Sequence, residues 1–204
     1  GGTALGTGLN AHVGFGKRMC EVLGKWTGIP LREAENKFEA MGSRDALVEA
    51  SGALKTVAVS LVKIASDMRL LSCGPRTGIA EIAIPELQPG SSIMPGKVNP
   101  VMPEMLIQVG AQVIGNDAAV TLGGVFGQLD LNVMMPLMAH NLLESIALLS
   151  AGARVFDERC VSAGPAMPGN PDNVKGIVAN RARCRSLVEN SLMPVTALVP
   201  KLGY

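Results

Sequence analysis

Between residues 90 and 100 the chain reads Gly-Ser-Ser-Ile-Met-Pro-Gly-Lys-Val-Asn-Pro, a polar, turn-rich stretch set between two apolar segments. Ser91 and Ser92 supply hydroxyls, Lys97 a positive charge and Asn99 an amide, while Gly90 and Gly96 relieve the backbone and Asn99-Pro100 can open a following helix. Such groups suit an anionic substrate. Lys97 is the sole Lys or Arg between Arg76 and Arg154, an interval that carries acids at Glu81, Glu86, Glu104, Asp117, Asp130 and Glu144. A cation placed there alone calls for a specific charge to answer.

The chemistry these groups can support is proton removal from a carbon next to a carboxylate. That step drives charge onto the carboxylate, and a preorganised cation and amide donor stabilise the resulting dianion-like species more than the ground state. Lys97 and Asn99 fit those roles. The proton itself needs a base, and a serine serves only if backbone N–H groups and positive charge stabilise its alkoxide. Ser91, in a glycine-containing loop near Lys97, is the candidate.

The elements that would hold this loop are helical. The chain has 204 residues, of which 48% are apolar and only 3% aromatic, so its core must be built from Ala, Val, Leu, Ile and Met. That suits closely packed helices and an all-α, long-helix bundle. Apolar spacing predicts helices over 11–27, 43–73, 102–123 and 135–159, the second capped by Ser43 and stopped by Gly74-Pro75. Residues 31–42 read as a connection. Residues 78–89 read as an irregular approach pinned by Ile79, Ile82, Ile84 and Leu87. Residues 102–123 are apolar on nearly every side, as in a helix surrounded by others, and Asn141 and Glu144 in the next helix need buried partners or an interface. Beyond 160 lie a loop, Ser162 to Pro171, and a short basic helix over 176–190 whose Arg181, Arg183 and Arg185 are expected to be solvated. The expected organisation is 1–159 as a helical-bundle domain and 160–204 as a loop with the start of a C-terminal region.

Several functions are excluded. A net charge of +1 with no Lys/Arg run offers no footprint for nucleic acid or an anionic membrane. Cys20, Cys73, Cys160 and Cys184 form no C-x-x-C pair or Cys/His cluster, so neither a zinc site nor a redox motif is expected. The longest apolar run, 133–153, is broken by Pro136, His140, Asn141 and Glu144, which leaves no membrane span. Gly6-Thr7-Gly8 lacks the strand and spacing of a phosphate cradle. His12 reads as a surface or capping residue. The opening Gly1-Gly2-Thr3-Ala4 has neither an initiator Met nor a signal-peptide pattern, and the chain is expected to be part of a longer one.

Residues 90–100 match every fixed position of G-S-S-x-M-P-x-K-x-N-P, the signature of the fumarase/aspartase superfamily, which the sequence resembles. A second stretch, residues 1–10, is similar to the superfamily's G-G-T-A-x-G-T-G-x-N region. The resemblance implies a homotetrameric lyase with no metal or organic cofactor, cytoplasmic, whose central helices pack together and whose sites draw on three subunits. It assigns Ser91 as base, Ser92, Lys97, Val98 and Asn99 to substrate binding, and Glu104 to supporting a catalytic histidine that this chain does not contain. Asn36 to Ala40, Gln88-Pro89 and Gly96 are closer to the fumarases, which interconvert the small dicarboxylates fumarate and L-malate. Val101 to Glu104 and Gly127-Gln128-Leu129 lean toward the aspartases. A non-catalytic helical assembly module is the remaining alternative. Departures from the family pattern fall in the tail, as an apparent insertion over 162–175 and as Val199 and Lys201 in place of Asn and His.

Overall fold

The computed structural model describes residue 3 and residues 5–88, 90, 93–162 and 176–203. The architecture is all-α, as expected. Helix α1 covers Phe15–Thr27, α2 Lys37–Gly42, α3 Asp45–Leu71, α4 Val101–Val125, α5 Met135–Phe156, α6 Arg181–Glu189 and α7 Val199–Leu202. A π-helical turn, Asp157–Val161, continues α5, and a 3-10 stretch, Met193–Leu198, precedes α7. Among the described residues the strands are two residues each, β1 (Ile82–Ala83) and β2 (Val178–Ala179), paired antiparallel.

Helix ends follow the local chemistry. Gly28 stops α1 in a left-handed conformation, φ 71°, and returns its N–H to Gly24 O at 2.9 Å. His12 Nδ1 accepts the Gly14 N–H at 3.1 Å, a local turn at the entrance to α1. Three expectations need correction. The helix expected over 176–190 begins only at Arg181, because Val178–Ala179 pair with β1. The stretch 31–42 is not merely a connection, because Asn36 Oδ1 accepts from the Phe38 and Glu39 N–H groups, both at 3.1 Å, and nucleates α2. Ser43 does not cap α3 through the backbone; its hydroxyl donates to Asp45 Oδ1 at 2.6 Å, while the carbonyl of Arg44 accepts from Leu47 and Val48.

The residues group into two compact units, Gly1–Thr56 with Val113–Ile146, and Val57–Gln112 with Ala147–Tyr204. Each of α3, α4 and α5 contributes to both.

In the first unit Val48 packs on Gly124 and Ser51 bonds Asp117, so α3 and α4 run antiparallel there. Met138 beside Gly123 and Ser145 beside Asn116 give α4 and α5 the same relation. Val113, Val120 and Met138 are buried, together with Ser51, Asn116, Asp117, Asn132, Asn141 and Ser145. Asn132 is the joint of this unit. Its N–H donates to Met41 O at 2.9 Å, its amide donates to Gly123 O at 2.9 Å and its Oδ1 accepts the Met134 N–H at 2.8 Å.

In the second unit Ala65, Met68, Leu106, Phe156 and Cys160 form an apolar core, with Leu61, Ile82, Ile84, Met102, Met105 and Ile107 packed against it. Ile82 and Ile84 thereby pin the approach to the loop, as their positions in the sequence suggested. Leu106 is fully buried, which stabilises the fold by about 1.5–3 kcal/mol relative to exposure. Gly110 lets α3 approach α4, since a Cβ there would collide with Val62.

Candidate active site

The 90–100 stretch joins the second unit's short strand to α4. Val101 N–H donates to Asn99 O at 2.9 Å and Glu104 N–H to Pro100 O at 3.1 Å, so the helix starts where Asn99-Pro100 predicted. Pro103 costs no hydrogen bond, because N–H groups of a first turn have no intrahelical partner.

The loop is drawn closed upon itself. Asn99 Nδ2 donates to Gly90 O at 3.3 Å, and Gly90 sits so close to the Lys97 carbonyl that any side chain there would collide with it. Lys97 N–H returns to Met94 O at 3.2 Å, with Gly96 at φ 75° completing the turn. Ile93 and Met94 stand in solvent, Lys97 is exposed, Val98 is 37% exposed and Asn99 is half-buried. Lys97, Val98 and Asn99 therefore lie together on the limb that enters α4. The amide of Asn99 carries a second N–H beyond the one that closes the loop, so it can hold the turn and still address a carboxylate. Ser91 and Ser92 lie outside the described residues, as does most of the apparent insertion, 163–175.

Glu104 occupies the first turn of α4, where the helix dipole favours negative charge. Its Oε1 lies 3.5 Å from Arg69 Nε on α3. Both side chains are more than a third exposed, so the pair contributes little to stability, at most about 1 kcal/mol. It does give the carboxylate a cationic neighbour that no reading of the sequence supplied.

Other groupings were also hidden. Lys55 Nζ reaches Asp117 Oδ2 at 2.5 Å and Ser51 Oγ reaches Asp117 Oδ1 at 2.9 Å. Asn116 Nδ2 donates to Glu144 Oε2 at 2.8 Å and to Ser145 Oγ at 3.2 Å, which meets the expectation that Glu144 needs a partner. Arg183 overturns the expectation that the arginines of α6 are solvated. It is half-buried, and its Nε and Nη2 donate to the carbonyls of Ile79 and Gly78 at 2.9 and 3.0 Å. Arg181 and Arg185 are exposed.

Among the described residues, no three His, Cys, Asp or Glu side chains gather as a metal site, and no helix is long and apolar enough to cross a membrane. A surface hollow at the end of α1, lined by Cys20, Glu21, Lys25 and Gly28 to Leu31 among others, holds none of Lys97, Val98, Asn99 and Glu104.

Residues 1–115 match the protein-family model described as lyase. Over the whole chain, the class II fumarate hydratases of Mycobacterium tuberculosis (strain H37Rv) and Myxococcus xanthus are 54% and 53% identical. The chain spans 40% and 41% of the length of those curated relatives. Among solved structures, a recombinant class II fumarase from Schistosoma mansoni matches the whole chain with a TM-score of 0.87 at 38% identity, over 43% of its own length. A fumarate lyase:delta crystallin from Brucella melitensis matches with a TM-score of 0.87 at 46% identity, over 42% of its length.

Proposed function

The chain belongs to the lyase family that its first 115 residues match, and from that premise we propose that it is part of a class II fumarate hydratase, which adds water reversibly to fumarate to give L-malate. The observation that carries this reading is 54% identity along the entire chain to an enzyme of that name. In the dehydration direction Ser91 Oγ takes the proton from the carbon beside a carboxylate. Lys97 and Asn99 hold that carboxylate as charge builds on it, Ser92 and Val98 complete its contacts, and the hydroxyl on the neighbouring carbon takes a proton from an acid elsewhere in the full-length site and leaves as water. Hydration reverses these steps. Glu104 orients a histidine supplied from elsewhere in the full-length protein. Residues 1–159 belong to the central helical-bundle domain and 160–204 to a loop and the start of the C-terminal region. The reading needs no metal or organic cofactor and implies a cytoplasmic enzyme.

The partner is expected to be the protein itself, as a homotetramer. Exposed apolar side chains on α3 (Val57, Val59, Ile64), α4 (Ile114, Leu122) and α5 (Leu143, Ile146) support that assembly. Sedimentation of the full-length protein as a stable, active monomer would exclude it.

The reaction is tested by following fumarate disappearance and, separately, ammonia release from L-aspartate. Fumarate hydration is expected to have the larger kcat/KM, and the reverse ranking would assign the protein to the aspartases. Within the loop, Ser91→Ala should lower kcat by about 10²- to 10³-fold with little change in ground-state binding, whereas Lys97→Met should damage both binding and turnover. Retention of C–H proton exchange with solvent in Ser91→Ala, with its loss in Ser92→Ala, would move the base to the second serine.

A further inference from the structure

The segment that feeds the loop, residues 78–84, is fastened from two sides. From the end of α3, Ala80 N–H donates to Cys73 O at 2.8 Å and Glu81 N–H to Leu71 O at 3.0 Å. From the far end of the sequence, β2 pairs with β1, Asn180 N–H donates to Glu81 O at 2.8 Å, and Arg183 bridges the adjacent carbonyls of Gly78 and Ile79. The Arg183 contact differs from the others in kind. Nε and one terminal nitrogen of a guanidinium lie on the same edge in fixed geometry, so two neighbouring carbonyls are held at a set distance and angle by charge-assisted bonds. Lysine, with a point charge on a flexible stem, cannot reproduce that fork. The side chain is itself placed by its helix, because Asn180 Oδ1 accepts the Arg183 N–H at 3.2 Å and caps α6.

Ile82 and Ile84 pack on the core, and among the described residues Asn99 closes the loop on Gly90 and Lys97 on Met94. Gly90, whose carbonyl anchors Asn99, follows this segment in the chain. We infer that Arg183, a residue distant in sequence and outside the loop, is a positioning residue for the reaction proposed above. By clamping Gly78 and Ile79 it sets where Gly90 presents its carbonyl and hence where Asn99 and Lys97 meet a substrate carboxylate. The inference rests on the fumarate hydratase reading for its catalytic consequence and on the hydrogen bonds alone for its structural one.

The test uses the full-length protein with Arg183→Ala, Arg183→Lys, and the exposed neighbours Arg181→Ala and Arg185→Ala as controls. Misplacement of catalytic groups by about an ångström costs up to about 10²-fold in rate. Arg183→Ala is therefore expected to lower kcat for fumarate about 10- to 100-fold, Arg183→Lys to recover only part of it, and both controls to stay within about twofold of wild type. Amide hydrogen exchange should quicken at residues 78–84 and 93–99 in Arg183→Ala while the amides of α4 beyond Leu106 keep their protection. A merely structural role would instead raise exchange throughout the unit and lower the amount of folded enzyme without changing kcat per folded site. Wild-type kcat and unchanged exchange at 93–99 in Arg183→Ala would overturn the inference. If the Ala variant fails to fold, Arg183→Lys decides on the same two readouts. Absence of fumarate hydration in the wild type would refute the functional reading, and the exchange pattern would still decide the Arg183 clamp.

Discussion

The two compact units draw on the same three long helices yet are held together differently. Buried polar residues fall in the first, as Ser51, Asn116, Asp117, Asn132, Asn141 and Ser145, each with a hydrogen-bond partner. The second, which carries the candidate site, is cored by Ala65, Met68, Leu106, Phe156 and Cys160. Hydrogen-bonded pairs select one register between helices, because a slip would strand a desolvated donor or acceptor, whereas apolar contacts reward burial without demanding a particular partner. The polar unit fixes which helix faces meet. The apolar unit carries the loop beside its core, and two of its polar ties, Arg183 to Gly78 and Ile79 and Asn99 to Gly90, are made to backbone carbonyls in the segments around the site.

The contrast can be broken most directly by truncation in each unit of the full-length protein. Leu106→Ala removes a fully buried side chain and should destabilise by about 2–5 kcal/mol in denaturant titration. Asp117→Ala should cost less, about 1–3 kcal/mol, because Lys55 is 44% exposed and can turn toward water once its partner is gone. Asp117→Asn, which keeps an acceptor for Ser51, should cost less again. A larger loss for Asp117→Ala than for Leu106→Ala would mean that the buried polar contacts are costlier to break than the apolar core.

The smallest effect sharpens the apolar side. Burial pushes the Cys160 thiol up from its ordinary 9.0 to about 11, since the thiolate has no water around it. The unfolded chain then loses this proton before the folded one does. The stabilisation from keeping the thiol neutral is present in full below pH 9 and is lost as pH rises through about 11. Unfolding free energy should fall over that window by up to about 2 kcal/mol more in the wild type than in Cys160→Ala. Equal slopes for the two proteins would mean that water reaches this thiol.

Much of this was legible in the chain. Apolar spacing at steps of three and four marked α1, α3, α4 and α5 within a few residues, since a helix must bury a stripe wherever it packs. Gly28 and Pro100 marked boundaries because their backbone constraints are local. The groups of the loop were legible as well, Lys97 above all, as a cation isolated among acids. Even α2 had its signal in Asn36 and Glu39, whose spacing suits a capping box and which the reading of 31–42 as a connection passed over.

What no spacing could show was partnership. Asn116 and Asp117 stand in a run that reads as uniformly apolar, and only the packing of α3 and α5 against α4 gives them Lys55, Ser51, Glu144 and Ser145. Glu104 was assigned to a histidine outside this chain, and only the packing of α3 brings Arg69 beside it. Arg183 read as one basic residue among three on a short helix, and its acceptors are backbone carbonyls about a hundred positions earlier. Every residue carries such a carbonyl, so side-chain identity cannot say which one an arginine will find. The sequence by itself determined the helices, their ends and the chemical inventory of the loop, because those depend on neighbours within a turn or two. Tertiary structure alone decided which charges meet and what holds the loop's approach in place, because those contacts exist only after distant segments have been brought together.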